Sequence, residues 1–372
     1  MQTSLRFLMS TLNRALLSLL AGLIGLVISG CSESVGEDAL QNYQSRLLTV
    51  FENVPGVGDL EVQIKSRSTD PTIVASPLPK ISVVPAASRD GSSSIDLLDF
   101  LGLYGCRLQE VVAQANSSLG KFAANSQRLL SALKFIELAP ECIESLIKDD
   151  KASLASLLAA ELSYKQAQVN WLVAKAVFEG DEYRSFWGKP ITLGEYPAGL
   201  SGEPIMALSR LNALLVTWST GGVSDGVADL ESQLFLVAQG DGGALIKAYE
   251  LLNHALEVSD QVLDRALSSA ALCQRSDVYS RDILSNVVQK FFVGEVQAWA
   301  SALNRRQYEI MAAIEPLEKA MHQNLTQDYL RWRAQRDALF QKTTEQVRGH
   351  VQRLKVFLEP ELLSETLAEI CV

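Results

Sequence analysis

The sequence predicts an all-α protein, an elongated bundle of long amphipathic helices with an irregular, proline-rich N-terminal arm. Beyond residue 95, apolar residues recur every three or four positions, which is the period of a helix with one buried face. The sequence shows neither strand-and-helix alternation nor a strong internal repeat, which argues against a parallel sheet and a regular solenoid. With 372 residues, 48% of them apolar, the chain can bury a sizeable core.

Residues 1–30 have the features of a secretory signal peptide. Arg6 and Arg14 supply positive charge, an apolar run follows, and small residues precede Cys31. This junction looks like the lipobox of bacterial lipoproteins and reads Ile28-Ser29-Gly30-Cys31. In proteins with a lipobox, the chain is cleaved before the cysteine, which receives fatty acyl chains. We therefore expect lipidation at Cys31.

The acyl chains on Cys31 are the expected membrane contact, since several chains together hold a protein stably at a bilayer. An uncleaved transmembrane anchor is the alternative, but the apolar run is shorter than the roughly 20 residues that a bilayer requires. Ser32 follows the cysteine. By resemblance to lipoprotein sorting signals, Ser rather than Asp at this position favours the outer membrane, with the body of the protein facing the periplasm.

Residues 31–94 are predicted to form a short N-terminal helix and the irregular arm. Tyr43, Leu47 and Phe51 have helical spacing. Five of the eleven prolines then fall between residues 55 and 85, where they exclude a long helix. We interpret this stretch as an arm packed on the main body, and a flexible spacer from the membrane is the alternative.

Residues 95–372 are predicted to form the helical bundle domain. Pro140 and Pro360 are expected to end the helices that precede them, and the Gly- and Pro-rich residues 188–204 are expected to form a loop. The predicted apolar helical faces cover residues 97–119, 122–136, 154–173, 223–237, 245–267, 292–310 and 332–358.

Four cysteines remain besides Cys31, an even number for a compartment that oxidises thiols. Cys106 and Cys142 lie on predicted neighbouring antiparallel helices, whereas Cys273 and Cys371 flank the C-terminal half. The favoured disulfides are therefore 106–142 and 273–371. Buried free thiols are the alternative, and zinc is disfavoured because the sequence has no C-x-x-C spacing.

Composition argues against nucleic-acid binding and against several kinds of catalysis. The chain has 43 acidic and 33 basic residues and a formal net charge of −10, whereas nucleic-acid phosphates require clustered Lys and Arg. Gly199-Leu200-Ser201-Gly202-Glu203 faintly resembles the G-x-S-x-G elbow of hydrolases, but Glu203 replaces the last glycine and no predicted strand precedes it. We predict a glycine-rich loop there, and no catalytic residue, enzymatic activity or cofactor.

Glu250, His254 and Glu257 are weak candidates for metal ligands. Their spacing places them on one helical face, where they could contribute to a metal site. A di-iron bundle would also need a Glu-x-x-His pair on a facing helix, and neither His322 nor His350 has a Glu at that spacing. A solvated polar stripe is the interpretation we favour.

The region 305–355 is basic, with ten basic and six acidic residues. It could be a docking face for an anionic partner, but compensation of charge within the bundle is the favoured interpretation. The basic residues are Arg305, Arg306, Lys319, Arg331, Arg333, Arg336, Lys342, Arg348, Arg353 and Lys355.

Residues 116–120 have the composition of a turn between helices. Asn and Ser side chains can cap helix ends, and Gly120 can adopt a left-handed conformation. A polar hairpin tip is the favoured interpretation, and a recognition loop is the alternative.

Three stretches carry a resemblance to a known family. They are Leu97-Leu98-Asp99-Phe100-Leu101 with Cys106-Arg107-Leu108, Asn116-Ser117-Ser118-Leu119-Gly120-Lys121 with Ser126-Gln127, and Ala139-Pro140-Glu141-Cys142. The chain resembles, from Cys31 to its C-terminus, an uncharacterised family of predicted lipoproteins of Gram-negative bacteria, a domain of unknown function. The resemblance implies an envelope location and a paired role for Cys106 and Cys142, and it implies no activity.

These features together predict a lipid-anchored envelope protein that acts as a periplasm-facing interaction or scaffold module, with an envelope protein as a candidate partner. The alternative is a metal-binding helical envelope protein that uses His254 and Glu257.

Overall fold

A computed structural model of the protein describes residues 34–60, 79–80, 82–84, 100, 102–219, 222, 229–274 and 279–371. These residues form an all-α helical bundle, which confirms the predicted fold class. Residues 1–33, which include Cys31 and the predicted signal peptide, and most of the arm lie outside the described residues, so lipidation of Cys31 stays a prediction.

Long helices dominate the described chain, and short helical segments connect them. In chain order they are α1 (Val35–Val50), α2 (Leu108–Asn116), α3 (Ser118–Lys121), α4 (Asn125–Lys148), α5 (Ala152–Phe178), α6 (Asp181–Phe186), α7 (Glu203–Ser219), α8 (Leu230–Ala238), α9 (Gly242–Leu267), α10 (Ala270–Gln274), α11 (Arg281–Val287), a π-helical segment (Val288–Gln297), α12 (Ala298–Ala320), a 3-10 turn (His322–Asn324), α13 (Gln327–Leu358) and α14 (Pro360–Ile370).

The main hydrophobic core surrounds α9, which packs against α1, α12 and α13. Residues on several sides of α9 are buried, because neighbouring helices cover most of its circumference. The N-terminal helix α1 belongs to this core. Its Tyr43, Leu47 and the following Phe51 are completely buried, so α1 is an integral part of the bundle.

A second, smaller core lies between α2, α4 and the first half of α5. Leu108, Leu138 and Leu158 fill it, and the Cys106–Cys142 disulfide joins α4 to the turn before α2. A second disulfide joins Cys273 in α10 to Cys371 after α14. The structure therefore contains both predicted cysteine pairs.

The predicted continuous helix over residues 97–119 is wrong. In the described part of this stretch, the chain turns at residues 103–107 before α2 begins at Leu108. Gly105 allows this turn with a φ of +92°, a value that favours glycine. Tyr104 and Leu119 have the spacing of the predicted apolar face 97–119, but they are 84% and 87% exposed. The apolar residues with helical spacing in this stretch therefore lie on a turn and two short helices and not on one continuous helix.

The prediction that Pro140 ends its helix is also wrong, because α4 continues through it to Lys148. Proline lacks an N–H and its ring crowds the preceding turn, an effect of about 3 kcal/mol in a helix interior. Beyond the proline, α4 buries Cys142 and Leu146 in the second core. This burial and the disulfide to Cys106 keep the second half of the helix in place.

The helices α6, α7 and α14 were not predicted from the sequence. Pro204 and Pro360 lie in the first turns of α7 and α14, respectively. Proline has no N–H to leave unpaired there, and its fixed φ suits a helix start. Pro360 therefore both follows the end of α13, as predicted, and begins another helix.

The arm contacts the body at Val83, the centre of its described part. Val83 forms an isolated antiparallel bridge with Leu325, and its N–H donates to Glu179 Oε1 at 2.7 Å. Trp171 Nε1 donates to Val84 O at 2.9 Å. At this point the arm packs on the bundle.

Candidate functional site

A groove with a partly apolar floor runs between α9, α12 and α13, and we name it the α9–α12–α13 groove. It consists of two adjoining cavities of about 230 and 370 Å³ that share Thr344 and Arg348. The smaller cavity is lined by Tyr249, Leu252, Gln297, Ala300, Ser301, Asn304, Thr343, Thr344, Val347 and Arg348. The larger cavity is lined by Gln307, Met311, Glu315, Asp337, Phe340, Gln341, Thr344, Glu345 and Arg348.

Aromatic side chains from facing helices form part of the floor. Tyr249 of α9 and Phe340 of α13 meet edge to face, with ring centroids 4.8 Å apart. The Tyr249 hydroxyl donates to Gln307 Oε1 at 2.6 Å, which ties α9 to α12. Burial raises the pKa of Tyr249 well above its ordinary value, so its hydroxyl stays protonated and can donate.

One wall of the groove begins where the π-helical segment ends. Gln297 is the last residue of that segment and lines the smaller cavity. A π-helix adds a residue to each turn, which shifts the faces of a continuous helix, and such turns are frequent at functional sites. The segment therefore sets which residues of α12 face the groove.

Charge is distributed unequally along the groove. Arg348 is exposed at the junction of the two cavities and forms no ion pair with any described residue. Glu315, Asp337 and Glu345 line only the larger cavity. The groove thus offers a cation near its centre, acidic groups at one end and amide and hydroxyl groups at the other. This arrangement suits binding of a polar ligand or chain segment.

The first of three buried polar networks lies behind this groove and joins α1, α9 and α13. His350 Nδ1 is 2.6 Å from Asp260 Oδ1, and His350 Nε2 is 2.6 Å from the Tyr43 hydroxyl. The Asp260 carboxylate accepts from Nδ1–H, so both ring nitrogens of this buried histidine have hydrogen-bond partners. Gln346 Nε2 donates to Asp260 Oδ2 at 2.7 Å. Burial, followed by the charge of Asp260, raises the pKa of Tyr43 well above its ordinary value.

The second network joins α12 to α13. The Arg336 guanidinium binds both carboxylate oxygens of Glu318, at 2.8 and 3.0 Å, and Tyr329 donates to Glu318 Oε1 at 2.6 Å. The rings of Trp187 and Trp332 lie against Arg336, with centroids 5.1 and 5.4 Å from Cζ. Both charges are almost fully buried, so removal of either one would leave the other without its partner.

The third network joins α12 to the start of α9. Arg306 of α12 binds Asp241 through two hydrogen bonds of 2.9 and 2.6 Å. The Tyr196 hydroxyl donates to Asp241 Oδ2 at 2.9 Å. Together the three networks fix α9, α12 and α13, the helices that form the groove. The sequence does not reveal these networks, because their members meet only when separate helices pack together.

The structure pairs the carboxylates of the two candidate metal ligands Glu250 and Glu257 with lysines. Glu250 binds Lys189, with its two oxygens 2.9 and 3.1 Å from Nζ. Glu257 accepts from Lys342 at 2.6 Å. Burial favours a higher pKa of Glu257, but hydrogen bonds from Lys342 and Asn253 outweigh it and lower that pKa. His254 shares the helix with both glutamates. The described residues contain no group of three or more His, Cys, Asp or Glu able to hold a metal.

Half of the predicted basic residues of region 305–355 are neutralised within the bundle. This agrees with internal compensation for those residues and leaves Arg348 as the cation that faces the groove. The paired residues are Arg306, Arg331, Arg336, Lys342 and Arg353.

Two further sequence features have local structural roles. Ser201, in the weak G-x-S-x-G match, accepts from the N–H of Glu203 at 3.1 Å, at the start of α7. Trp332, the first residue of the predicted apolar face 332–358, is buried in the main core. In the described part of the chain, no helix combines the length and the apolar character needed to cross a bilayer.

The fold and the groove define a class: an all-α, disulfide-linked bundle with a surface suited to binding. The family model "Protein of unknown function (DUF3080)" matches residues 40–359, which is most of the chain. The chain belongs to this family. No curated protein and no solved structure matches it.

Proposed function

We propose that the protein is a lipid-anchored envelope protein, held at the outer membrane by acyl chains on Cys31, which acts as a periplasm-facing interaction or scaffold module. The disulfides are the observation that carries this proposal. The chain has five cysteines, and the two disulfides use all of them except Cys31. Stable disulfides are typical of oxidising compartments, and the remaining cysteine is the one in the lipobox.

The anchor would hold the bundle close to the membrane. Only Ser32 and Glu33 separate Cys31 from Ser34, and α1 begins at the next residue. Three extended residues span at most about 11 Å, so a lipidated Cys31 keeps the start of α1 within that distance of the bilayer. Because α1 is part of the main core, the whole bundle follows the anchor.

The α9–α12–α13 groove is the surface that we assign to the partner. It is open, it has an unpaired arginine among the described residues, and its walls are fixed by buried networks. The groove residues form no nucleophile-and-base pair; Ser301, for example, donates to the backbone of Gln297 at 2.8 Å. These features support a binding role for the groove.

Metabolic labelling with a fatty acid tests the anchor. Wild-type protein should carry the label and have a mass that corresponds to acylated Cys31 at its N-terminus. Cys31→Ser should carry no label, whereas Cys273→Ser, which also removes one cysteine, should keep it. An unlabelled wild-type protein, or equal labelling of Cys31→Ser, would overturn the anchor.

Site-specific photocrosslinking tests the groove. A photoreactive residue at Ser301, which is exposed in the groove, should give a discrete adduct in intact cells. The same residue at Lys319, exposed on α12 outside the groove, should give none. Absence of a Ser301-dependent adduct, or an identical adduct from both positions, contradicts the assignment.

A further inference from the structure

An exposed apolar pair lies at the junction between α2 and α4, in a segment that we name the 117–122 tip. Leu119 and Phe122 are 87% and 90% exposed. They are three positions apart, in and directly after the single turn of α3, so they lie on the same side of the tip. Two large apolar side chains next to each other and almost fully in water indicate a surface that meets another apolar phase.

The tip is held in this conformation by its own hydrogen bonds. Ser117 Oγ accepts from the Gly120 N–H at 3.1 Å and donates to Gln114 O at 2.7 Å. Gly120 is helical and does not adopt the left-handed conformation that the sequence allows. A glycine is needed there because the backbone of residues 114 and 115 lies very close to it. A Cβ there would lie 2.3 Å from Gln114 O. Arg128 Nη2 donates to Lys121 O at 2.9 Å and ties the tip to α4.

The charge around the tip is opposite to that of the protein as a whole. The chain has a net charge of −10, yet residues 111–136 contain no acidic residue and include Lys121, Arg128 and Lys134. Two acidic residues outside this stretch bind residues within it. Glu231 accepts a hydrogen bond from Gln127, and Glu137 pairs with Lys134. Lys121, which lies between the two apolar residues, forms no ion pair with a described residue.

We propose that the 117–122 tip is a second membrane contact, which inserts Leu119 and Phe122 into an anionic phospholipid bilayer while Lys121 and Arg128 stay among the headgroups. Apolar side chains flanked by cations are the combination that an anionic bilayer surface favours. This inference rests on the proposed lipid anchor, which would keep the tip at high local concentration near the lipid and make a weak contact effective.

Fluorescence quenching by brominated lipid tests this contact in the full lipidated protein. Phe122→Trp reports on the tip, and Tyr104→Trp is the matched control, since Tyr104 is 84% exposed and lies at the other end of α2. Both proteins are reconstituted into vesicles of phosphatidylcholine with or without phosphatidylglycerol. Quenching of the wild-type protein, which has five native tryptophans, is subtracted from that of each variant. The added tryptophan at position 122 should then be quenched several-fold more than that at 104, and more strongly with phosphatidylglycerol.

Charge reversal adds a second readout. Lys121→Glu in the Phe122→Trp background should lower partition of the tip into phosphatidylglycerol vesicles by at least about fivefold, the effect expected for one cation near an anionic surface. Equal quenching at positions 122 and 104, or none at 122, overturns the contact. Absence of quenching at position 122 would instead indicate that the tip contacts a protein and not the bilayer.

Vesicle flotation separates this outcome from failure of the anchor. If the anchor is absent, the protein does not float with the vesicles and its mass lacks acyl chains. If only the tip proposal is wrong, the protein floats but the tryptophan at position 122 remains unquenched.

Discussion

Single buried polar residues hold the long helices in register. His350 is completely buried on α13, yet both of its ring nitrogens have partners, one on α9 and one on α1. Burial of an imidazole without such partners would be unfavourable. The position of α1 therefore depends on a hydrogen bond between Tyr43 and a residue 307 positions away.

His350→Ala should destabilise the protein by about 3–5 kcal/mol, because it opens a cavity and leaves Tyr43 and Asp260 buried without their partner. Urea denaturation measures the loss. His322→Ala is the control, since His322 is exposed, and it should change the free energy of unfolding by less than about 0.5 kcal/mol. Similar effects of the two substitutions would contradict the role of His350.

Alkaline pH should destabilise the protein through its buried tyrosines. Burial raises the folded-state pKa of Tyr43, Tyr183 and Tyr329 above the ordinary value of 10.0. Above pH 10 the unfolded chain therefore binds fewer protons than the folded protein, and the free energy of unfolding falls as pH rises, by about 1.4 kcal/mol per pH unit for each such tyrosine.

Urea unfolding at a series of pH values around 10 measures this slope. Tyr43→Phe removes one of the ionisable groups and should make the decline shallower. A free energy of unfolding that stays constant through this range would show that these tyrosines ionise equally in both states.

At the scale of helices, packing overrides local preference in α4 and a covalent bond holds α14. The helix α4 continues through Pro140 because its second half is buried and bonded to Cys106. In contrast, α14 has no buried residue and contacts the core only through partly buried side chains such as Leu363 and Leu367. The Cys273–Cys371 disulfide therefore contributes much of what holds α14 on the bundle.

Pro140→Ala should stabilise the protein by about 1 kcal/mol or more, since alanine restores the missing N–H and removes the crowding inside α4. The midpoint of urea denaturation measures the change. Pro360→Ala serves as the control because Pro360 is in the first turn of α14, where proline is favourable. It should be neutral or slightly destabilising, and a larger gain from Pro360→Ala would contradict the argument.

Loss of the Cys273–Cys371 disulfide should release α14 while the main core remains folded. The bond joins residues separated by 98 positions, and the double variant Cys273→Ser/Cys371→Ser should lower stability by about 2–4 kcal/mol. Limited proteolysis should cut within residues 359–370 in this variant and spare them in the wild type. Equal protection of α14 in both proteins would show that packing alone holds it.

At the scale of the whole molecule, the three buried networks converge on the helices that form the α9–α12–α13 groove. Asp260 lies in α9 and Asp241 directly precedes it. Arg306 lies on α12 and Arg336 lies on α13. A rigid groove suits a binding surface, because its side chains need little reorganisation when a partner arrives. The 117–122 tip lies outside both cores, just beyond α2 of the second core, and its exposed side chains can contact a separate surface.

Sequence reasoning located the helices whose apolar residues have a clear period. The predicted faces at 154–173, 245–267 and 332–358 all fall within helices of the structure. It does not predict α7, because Pro204 ends a Gly- and Pro-rich stretch typical of a loop, whereas in the structure this proline lies in the first turn of α7. It took Tyr104 and Leu119 as buried because their spacing continued the apolar face of α2, although the backbone turns before and after that helix.

The sequence by itself determined the all-α class, because apolar period is a local property. It also favoured the cysteine pairs that the structure contains, and its prediction of lipidation at Cys31 stays a prediction. Only the tertiary structure decided that Glu250 and Glu257 bind lysines, that Tyr43 reaches His350, and where the groove lies. Apolar periodicity reports which side of a helix is buried. It does not identify the helix that packs against this buried side. The hydrogen-bond partners of buried polar groups lie on that neighbouring helix, so only the tertiary structure shows them.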